Sequence, residues 1–504
     1  MKQWLGLQIV IKRRLNIIFN LIFAGGDVKR HDRYLIVRSI SLILLAAMFA
    51  GGCSPVYQTP STTQTDAFRA VPKQIIALNR AKGTYSETTT QTPPPTETGA
   101  DDQSGAATAN ATDVPPYTDV RKQCTFSVTN NRSEFFYARD ASMKSAWESY
   151  PGEQSITIDV PDDVKDITGF YFKWDSPPPT WDLYAYDSAG KEILADSGGK
   201  DCGRTEFAEV PANMSEYKRF QFVATNPDIP FSIANISVYA GAIPEFVPRW
   251  ESLNDRKADL LVIAAHPDDE SVFLAAPAVT YIDEGKTVVT GYMTWGTAER
   301  RFEAEEACWM LGEKHAPTLR AAHDMMTNSL ESMEKYWPLD KAVGYIVELI
   351  RKYKPSVIVT HDVGGEYGHG AHIETSYATQ LAFEQASDPT KFPESAEQYG
   401  VWKPGKLYLH MYGEGKITFD LNAPLHQYND ETVLQVITAA FQRHLSQAAK
   451  GWAVESTGPC SMAYFGLFAS NVGPDSKHDS MFEHITADAM DGLNSGNPDP
   501  ISSY

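Results

Sequence analysis

Two short segments of this chain carry imidazoles and carboxylates at spacings that could hold a metal ion. Residues 265–270 read Ala-His-Pro-Asp-Asp-Glu, and residues 366–372 read Glu-Tyr-Gly-His-Gly-Ala-His. Two imidazole nitrogens and one carboxylate oxygen leave coordination positions open, which is typical of hydrolytic metal sites. A bound Zn²⁺ can lower the pKa of water from about 15.7 to about 7 and polarise a carbonyl. The residue types therefore predict metal-assisted hydrolysis of an unactivated bond such as an amide.

The spacing within these segments assigns a separate role to each polar side chain. His266, Asp269 and His372 are predicted to bind the metal, because a His and an Asp three residues apart on a tight turn can face one point. Asp268 is then free to act as the base toward water. The competing interpretation, in which Asp268 or Asp269 only caps a helix, explains neither His266 nor the second segment.

The second segment supplies two more candidate catalytic groups. His369 could stabilise an oxyanion or protonate the leaving amine, and Tyr367 could donate a hydrogen bond to the same oxyanion. The alternative is that His369 is a loop histidine. Glu270 is predicted to brace a ligand. The isolated histidines, which are predicted to be structural, are His361, His410, His426 and His444.

The elements that must position these residues are read from the alternation of apolar runs after residue 255. Strands are predicted over 260–264, 287–293, 356–360 and 406–409, and helices over 271–284, 299–311, 339–353 and after residue 372. This alternation predicts an α/β domain with a mostly parallel sheet and helices on both faces. Because sites form at the carboxyl ends of strands in open α/β sheets, the two segments should meet at one edge.

The two segments resemble the motifs of the PIG-L/LmbE-like family of zinc-dependent N-acetylglucosamine deacetylases. Besides both motifs, Tyr-Met-Thr-Trp-Gly at 292–296 is similar to the family's Thr-x-Gly segment. The resemblance is clear over 255–385 and looser to about residue 475. It implies a Rossmann-like fold, one zinc ion (with Fe²⁺ as the alternative metal) and removal of acetyl from an amino sugar. The family's zinc ligands, general base, charge-stabilising histidine and carbonyl-polarising tyrosine correspond to His266, Asp269 and His372, to Asp268, to His369 and to Tyr367.

The chain departs from the family pattern at Ala371, where several members carry an Asp that supports the catalytic histidine. His369 is therefore expected to be less basic or to be supported from elsewhere. Asp362 and Glu366 are the candidates for that support.

The substrate-binding residues are less specifically marked. Arg300 and Arg301 lie where the family's sugar-binding arginine is expected, although Arg300 could instead pair with Glu303 or be solvated. Trp295 could form a platform for a sugar ring or serve a structural role. The residues interpreted as a solvated helix face are Glu303, Glu305 and Glu306.

Residues 119–247 form a separate region of short alternating apolar and polar runs. The pattern predicts an all-β antiparallel sandwich, whose last strands resemble those of galactose-binding-like jelly rolls. The resemblance makes this region a candidate carbohydrate-binding module. The aromatic residues that could stack on sugar rings, or pack in the core instead, are Trp174, Trp181, Tyr184 and Tyr186.

The N-terminus is predicted to be an export signal. A charged segment at 29–33 precedes a mostly apolar stretch and the sequence Ala-Gly-Gly-Cys ending at Cys53. The pattern resembles a bacterial lipoprotein signal at 1–53, which implies an exported protein that is lipid-anchored at the cell envelope through Cys53, and an uncleaved signal anchor is the alternative. Residues 54–118 are rich in Thr, Ser and Pro and are predicted to be a disordered tether.

Length, charge and cysteine count bound the remaining possibilities. At 504 residues at least two domains are expected, with the deacetylase-like domain at 255–475 and a C-terminal tail at 476–504. A net charge of −20 argues against nucleic acid as a partner and leaves an amino-sugar-containing glycan or glycoconjugate. Cysteines outside the cytoplasm favour disulfides, although Cys308 could equally be a buried thiol. The favoured pairings within each domain are Cys124–Cys202 and Cys308–Cys460.

The residues leave three other functions open. A longer acyl chain could replace acetyl, because the loops that build the acyl pocket are not placed by sequence. The chain could be a surface glycan-binding lipoprotein with an inactive second domain, for which Ala371 is the supporting feature. Two His and a carboxylate also suit non-haem Fe(II) oxygenases, but their usual His-x-Asp on a β-barrel differs from the His-x-x-Asp and α/β pattern of this chain.

Overall fold

The computed structural model describes residues 117–495, except for 201, 254–256, 414–415, 455 and 459. The predicted signal, its lipidation site Cys53 and nearly all of the predicted tether lie outside the described residues. Within the described part of the chain, no helix combines the length and the apolar character needed to cross a bilayer.

The first described region is a sandwich of two antiparallel sheets. Its strands are β1 (Tyr117–Asp119), β2 (Thr125–Val128), β3 (Trp147–Glu148), β4 (Ser155–Asp159), β5 (Ile167–Trp174), β6 (Trp181–Tyr186), β7 (Glu192–Gly198), β8 (Thr205–Glu209), β9 (Arg219–Ala224) and β10 (Ser232–Gly241). One sheet has the order β1-β10-β5-β8 with β3 beside β10, and the other has the order β2-β4-β9-β6-β7. The all-β antiparallel architecture predicted from the alternation is confirmed.

The aromatic residues of the sandwich divide between its core and its outer face. Trp174 and Trp181 are fully buried, and both indole N–H groups donate to Glu206 Oε2 at 2.9 Å. Their faces are inaccessible, so the prediction that they could stack on sugar rings is wrong. Tyr184 and Tyr186 are half-buried on the outer side of β6.

Strand β5 cannot be predicted from an alternation of apolar and polar residues, because both of its faces are buried. Phe170 and Phe172 pack in the core between the two sheets. On the opposite face, the Tyr171 hydroxyl and the Lys173 ammonium lie 2.9 and 2.8 Å from Glu306 of the second region. A strand covered on both sides shows no alternation of apolar and polar residues.

The second region is an α/β domain built on a seven-stranded sheet. Its strands are β11 (Leu260–Ala264), β12 (Val288–Tyr292), β13 (Thr318–Leu319), β14 (Val357–Thr360), β15 (Lys406–His410), β16 (Ile417–Thr418) and β17 (Tyr464–Ser470). Their order is β13-β12-β11-β14-β15-β17-β16, with β13 to β15 parallel and β17 antiparallel to both of its neighbours. The predicted parallel sheet therefore carries an antiparallel addition at one edge.

Helices cover both faces of this sheet. The helical segments are a π-helical turn (Glu270–Leu274), α1 (Ala275–Asp283), α2 (Ala298–Met310), α3 (Leu330–Met333), α4 (Leu339–Tyr353), α5 (Gly370–Gln385), α6 (Pro393–Tyr399), α7 (Val433–Phe441), α8 (Leu445–Ala448) and α9 (Ala487–Asn494). Leu260 and Val262 of β11 face one core, which they share with α1, α2 and α7. Leu261 and Ile263 face the other core, which they share with α4 and α5. Met490 of α9 is buried in that second core, so part of the predicted C-terminal tail belongs to the folded domain.

Helix α2 docks the sandwich onto the α/β domain. The buried acidic residues of this helix are Glu303, Glu305 and Glu306. Glu305 accepts hydrogen bonds at 2.7 Å from the backbone N–H groups of Arg204 and Thr205 at the start of β8. Arg301 reaches Asp175 of the sandwich at 2.9 Å. The interpretation of this face as solvated is wrong, because the sandwich covers Glu305 and Glu306, and Ser446 of α8 donates to Glu303.

The cysteines differ from their predicted pairing. Among the described residues, neither expected disulfide is formed. Cys308 is buried in α2 with its Sγ 3.2 Å from the Tyr292 hydroxyl, whereas Cys460 Sγ lies 2.8 Å from the carbonyl oxygen of Glu366. Cys124 and Cys202 are thiols in the core of the sandwich, where burial raises the pKa of both.

Candidate active site

The two motif segments meet at the carboxyl edge of the sheet. Strands β11 and β14 are parallel neighbours, with Ile263 opposite Thr360, so the motifs leave the sheet side by side. They enclose a cavity of about 140 Å³. The predicted site residues that line it are His266, Asp268, Asp269, Arg300, Tyr367 and His369. The lining residues that the sequence did not single out are Val272, Phe273, Asp324, Met326, Gln447 and Trp452.

Hydrogen bonds within the first motif fix the turn that follows β11. Asp269 Oδ2 accepts from the backbone N–H of His266 at 2.7 Å and lies 3.0 Å from His266 Nδ1. Glu270 Oε2 accepts from the backbone N–H of Asp268 at 2.8 Å. Asp268 has a φ of 115°, a conformation that costs a non-glycine residue roughly 1–3 kcal/mol. The turn therefore holds backbone strain at the predicted base.

Glu366 positions three buried imidazoles at once. Its carboxylate lies 2.6 Å from His372 Nδ1 and 3.0 Å from Nδ1 of both His361 and His410. Because His361 Nε2 accepts from the backbone N–H of Ala265 at 2.9 Å, the proton of this ring is on Nδ1. The same carboxylate fixes the ring of His372 through Nδ1, so Nε2 is the nitrogen that can bind a metal. His361 and His410, predicted to be merely structural, thus share the carboxylate that orients His372, the predicted metal ligand.

His369 lacks the hydrogen bond to a carboxylate that the sequence predicted for it. Neither of its ring nitrogens has a hydrogen-bond partner among the described residues, although both are buried. Glu366 bonds to other histidines, and Asp362 accepts from a backbone N–H of its own loop, so neither predicted support is made. Burial, and then the charge of neighbouring histidines, lowers the pKa of His369 to about 4. The pKa of His369 is thus lowered in the direction expected from Ala371, but burial and the neighbouring histidines are the cause.

Unbonded nitrogens mark the place where a cation fits. Within the described residues, His266 Nε2 and His372 Nε2 are buried and have no hydrogen-bond partner. The side-chain groups close enough to share an ion are His266, His369 and His372, and also Asp269, His361 and His372. His361 is already occupied by a backbone N–H, whereas Asp269 Oδ1 lies 3.3 Å from His372 Nε2. Two imidazoles and one carboxylate suit a divalent cation, with His369 as the competing third donor.

The charges around Asp269 and His372 favour a positive charge between these two side chains. Although burial opposes ionisation, His372 and His266 hold the pKa of Asp269 well below its usual value. Burial likewise opposes the charged form of His372, but Asp269 and Glu366 raise its pKa. The two carboxylates therefore favour a cation between them.

Asp268 is tuned by burial and by Arg300. Burial raises the pKa of Asp268 to about 7, and the guanidinium of Arg300, 2.9 Å from Asp268 Oδ1, opposes the rise. Arg300 also lies 3.0 Å from Asp324 Oδ2 and donates to the carbonyl oxygen of Pro267. It orients the base and does not pair with Glu303. A carboxyl with a pKa near 7 can take up a proton and return it near neutral pH.

Two of the predicted substrate residues lie outside the cavity lining. Arg301 is buried against Asp175, and its guanidinium lies 5.2 Å from the centre of the Trp295 ring. Arg301 joins the two domains and Trp295 packs against its guanidinium, so neither residue lines the cavity as their predicted role in substrate binding would require. Asp324 was missed because it stands on a loop without a motif, yet it lies beside Arg300 and 3.5 Å from His266 Nε2.

A histidine from far along the chain braces the base. His444 Nε2 lies 2.5 Å from Glu270 Oε1, while the other oxygen of Glu270 holds the Asp268 backbone. Burial opposes protonation of His444, but Glu270 raises its pKa. His444 was predicted to be structural because nothing near it in sequence carries chemistry. The fold brings it beneath the first motif.

Comparison with known proteins agrees with the family resemblance of the second domain. The model of the PIG-L family, GlcNAc-PI de-N-acetylase, matches residues 261–383, which contain both motifs. Mycothiol S-conjugate amidase of Streptomyces coelicolor is 33% identical over 177 residues, which cover 30% of this chain and 60% of the amidase. The 1D-myo-inositol 2-acetamido-2-deoxy-alpha-D-glucopyranoside deacetylase of Geodermatophilus obscurus is 30% identical over 178 residues, with the same coverage of each chain. The chain thus spans about 60% of the length of the curated relatives it matches.

The sandwich has a similar solved structure, the family 32 CBM from C. perfringens NanJ in complex with galactose. The two are 14% identical with a TM-score of 0.21, and the likeness covers 24% of this chain and 98% of that chain. Beyond the observed antiparallel sandwich, carbohydrate binding by this region stays a prediction.

Proposed function

We propose that the chain is a metal-dependent N-deacetylase that hydrolyses the N-acetyl group of a GlcNAc-type amino sugar in a glycan or glycoconjugate. One observation carries the proposal: His266, whose buried Nε2 is unbonded, lines the same cavity as Asp268, and the ring of His372, whose Nε2 is also unbonded, lies 5.3 Å from the His266 ring between centroids. Hydrolysis of an unactivated amide requires a cation site beside a group that can move a proton near pH 7.

The metal would be held by His266, Asp269 and His372, and this donor set favours zinc. Zinc bound there would polarise the amide carbonyl and acidify water. Glu366 keeps His372 in the tautomer that offers Nε2 to a cation, and Asp269 supplies the compensating negative charge.

The proton movements belong to residues of the chain. Asp268 takes a proton from the water that attacks the acetyl carbon, and with a pKa of about 7 it can return that proton to the leaving nitrogen. A C–O bond forms and the amide C–N bond breaks, which yields acetate and a free amine. Tyr367, whose ring stacks 5.6 Å from that of His369, keeps its proton and donates a hydrogen bond from its hydroxyl to the oxyanion. His369, with a pKa of about 4, is neutral and contributes an N–H donor.

The substrate class is supported by the names of the relatives and by the polar groups at the cavity. The family description names a GlcNAc-PI de-N-acetylase, and the two relatives are named as an amidase and an amino-sugar deacetylase. Arg300 and Asp324 place a donor and an acceptor at the cavity, where sugar hydroxyls would need them.

We propose further, from the sequence alone, that the protein is exported and anchored to the cell envelope by lipidation of Cys53. The tether would hold the two folded domains away from the membrane, within reach of a glycan. Cys53→Ala should move the protein from the membrane fraction to the soluble fraction, and an unchanged distribution would contradict lipid anchoring.

The test of the proposed activity uses the full chain after chelation, with and without added Zn²⁺, against a panel of N-acetylated sugars. Acetate and free amine should appear in equal amounts, and only with metal. If the metal-loaded protein binds these sugars but releases no acetate, the inactive glycan-binding alternative is favoured. Turnover restricted to sugars with longer N-acyl groups would show that the enzyme removes a longer acyl group and not acetyl.

A further inference from the structure

One wall of the cavity comes from a part of the domain that the family match does not reach. Gln447 and Trp452 line the cavity, whereas the match ends at residue 383. Both residues belong to α8 and the turn that follows it. The lining of the cavity thus combines motif residues from the matched segment with a wall, Gln447 and Trp452, from outside it.

This wall is fixed rather than loose. His444 bonds to Glu270 of the first motif, and Ser446 donates to Glu303 of α2 from its backbone N–H at 2.8 Å and from its hydroxyl at 2.6 Å. Gly451 turns the chain with a φ of 85°, and the backbone N–H of the next residue donates to the Gln447 carbonyl at 3.3 Å. The position of the Trp452 backbone is therefore set by the same residues that support the base.

The cavity itself has room for no more than about one ring. Its volume of about 140 Å³ is close to the roughly 150 Å³ of an engineered cavity that holds one benzene molecule. Part of this volume must accept the acetyl group beside His266 and Asp268. Any further part of a substrate has to lie at the mouth.

The mouth carries exposed apolar side chains. Met326, Tyr367 and Trp452 are 76%, 48% and 47% exposed, respectively. The rings of Tyr367 and Trp452 lie 6.1 Å apart between centroids. Large apolar side chains left exposed around a polar pocket are typical of ligand contact.

We propose that Trp452 binds a second pyranose ring, so that the substrate is an amino sugar linked to at least one further sugar. This inference rests on the proposed deacetylase function. The faces of a pyranose ring present C–H groups, which match the negative face of an indole. The buried amide of Gln447 lies beside the same wall and can bond to sugar hydroxyls.

A sugar suits this position better than an acyl chain does. An acyl chain would need an enclosed apolar channel, because its whole surface is apolar. Trp452 and Met326 are open to water, and the deeper lining is rich in charged and imidazole groups. A sugar ring can stack one face on the indole while its hydroxyls stay hydrated.

The test compares kcat/KM of the zinc-loaded full chain for N-acetylglucosamine, for disaccharides that carry it at either end, and for N-octanoylglucosamine. At least one disaccharide should exceed the monosaccharide about tenfold, which is the size of one aromatic stacking contact. Trp452→Ala should lower this ratio about tenfold through KM, and Trp452→Tyr should restore most of it. Phe136→Ala, which removes an exposed aromatic ring of the sandwich, is the matched control and should keep the ratio.

Each other outcome decides a different point. Equal kcat/KM for the monosaccharide and all disaccharides, or a ratio that Trp452→Ala leaves unchanged, would overturn the second-sugar site and leave the deacetylase intact. A preference for the octanoyl substrate that Trp452→Ala abolishes would assign the wall to acyl binding and also overturn it. If no substrate is turned over, the proposed function fails, and calorimetric binding of the disaccharides to wild type and Trp452→Ala then decides the sugar site by itself.

Discussion

At the residue scale, the site depends on groups that fix the protonation of its ligands. Glu366 is surrounded by three Nδ1 atoms, and the ring of His361 is fixed from its other side by a backbone N–H. One buried carboxylate thus sets the orientation of His372 and its neighbours. Carboxylates in this position raise the basicity of a metal-binding imidazole.

Replacing Glu366 with Gln should weaken metal binding about 10- to 100-fold, because an amide orients the ring of His372 less strongly and lacks the negative charge. Competition between the protein and a chromogenic chelator for Zn²⁺ measures the change. Asp362→Asn is the matched control, since Asp362 lies in the same loop and accepts only from backbone N–H groups within it. Equal zinc affinity of wild type and Glu366→Gln would refute this role.

Sequence was sufficient for the residues that stand within one motif. That His266, Asp268 and Asp269 meet at one place could be predicted from Ala-His-Pro-Asp-Asp-Glu, because they stand on one turn. His410 and His444 could not, because they reach the site only through β15 and the end of α7. Asp324 stands on a loop with no periodic pattern, and only the folded chain shows that it meets Arg300.

At the element scale, a helix with one exposed face could be predicted from the spacing of its apolar residues. Helix α4 has the predicted bounds because its apolar residues recur at helical spacing. The buried face of α2 was misread, since its glutamates look like those of a solvated helix until the folded chain shows that the sandwich and α8 cover them. Glu313, which lies just after α2, is buried in the same way and accepts a hydrogen bond from the backbone N–H of Thr290 in β12.

Glu313 should make the protein less stable as the pH rises. Burial raises its pKa from 4.5 to about 8, and the folded state therefore favours the protonated form. Below pH 4.5 the group is protonated in both states, so the free energy of unfolding does not depend on it. As the pH rises from 4.5 to about 8, the free energy of unfolding falls by about 1.4 kcal/mol per pH unit. Glu313→Gln should remove this loss, which urea unfolding at pH 5, 7 and 9 measures as a smaller fall in the free energy of unfolding. The exposed Glu284→Gln controls for charge, and parallel pH profiles of wild type and Glu313→Gln would contradict the assignment.

At the scale of the whole molecule, the sandwich and the α/β domain are joined by buried polar contacts. Glu305 accepts from Arg204, Thr205 and the Thr205 hydroxyl at 2.6 to 2.7 Å, and burial raises its pKa to about 7. Glu306 binds Lys173 and Arg443 on the two sides of the contact. The sandwich is therefore held at a fixed position beside the catalytic domain.

Glu305→Ala should uncouple the two domains. It leaves two backbone N–H groups and a hydroxyl buried without an acceptor, at roughly 1–3 kcal/mol each. Calorimetry should then show the single unfolding transition of wild type split in two or shifted to lower temperature. Glu299→Ala, which removes an ion pair with the exposed Lys144 from the same helix, should change stability by less than about 1 kcal/mol. A thermogram of Glu305→Ala identical to wild type would show that these contacts do not couple the domains.

The most direct test of the account measures acetate release from an N-acetylated amino sugar by wild type and Asp268→Asn, each reconstituted with zinc after chelation. Wild type should release acetate with one zinc ion per chain. Asp268→Asn should keep that zinc and release acetate about 10²- to 10⁴-fold more slowly, because the proton acceptor is lost while the ligands remain. Loss of zinc from Asp268→Asn would show that the roles of Asp268 and Asp269 are exchanged, and zinc-loaded wild type that releases no acetate would contradict the deacetylase itself.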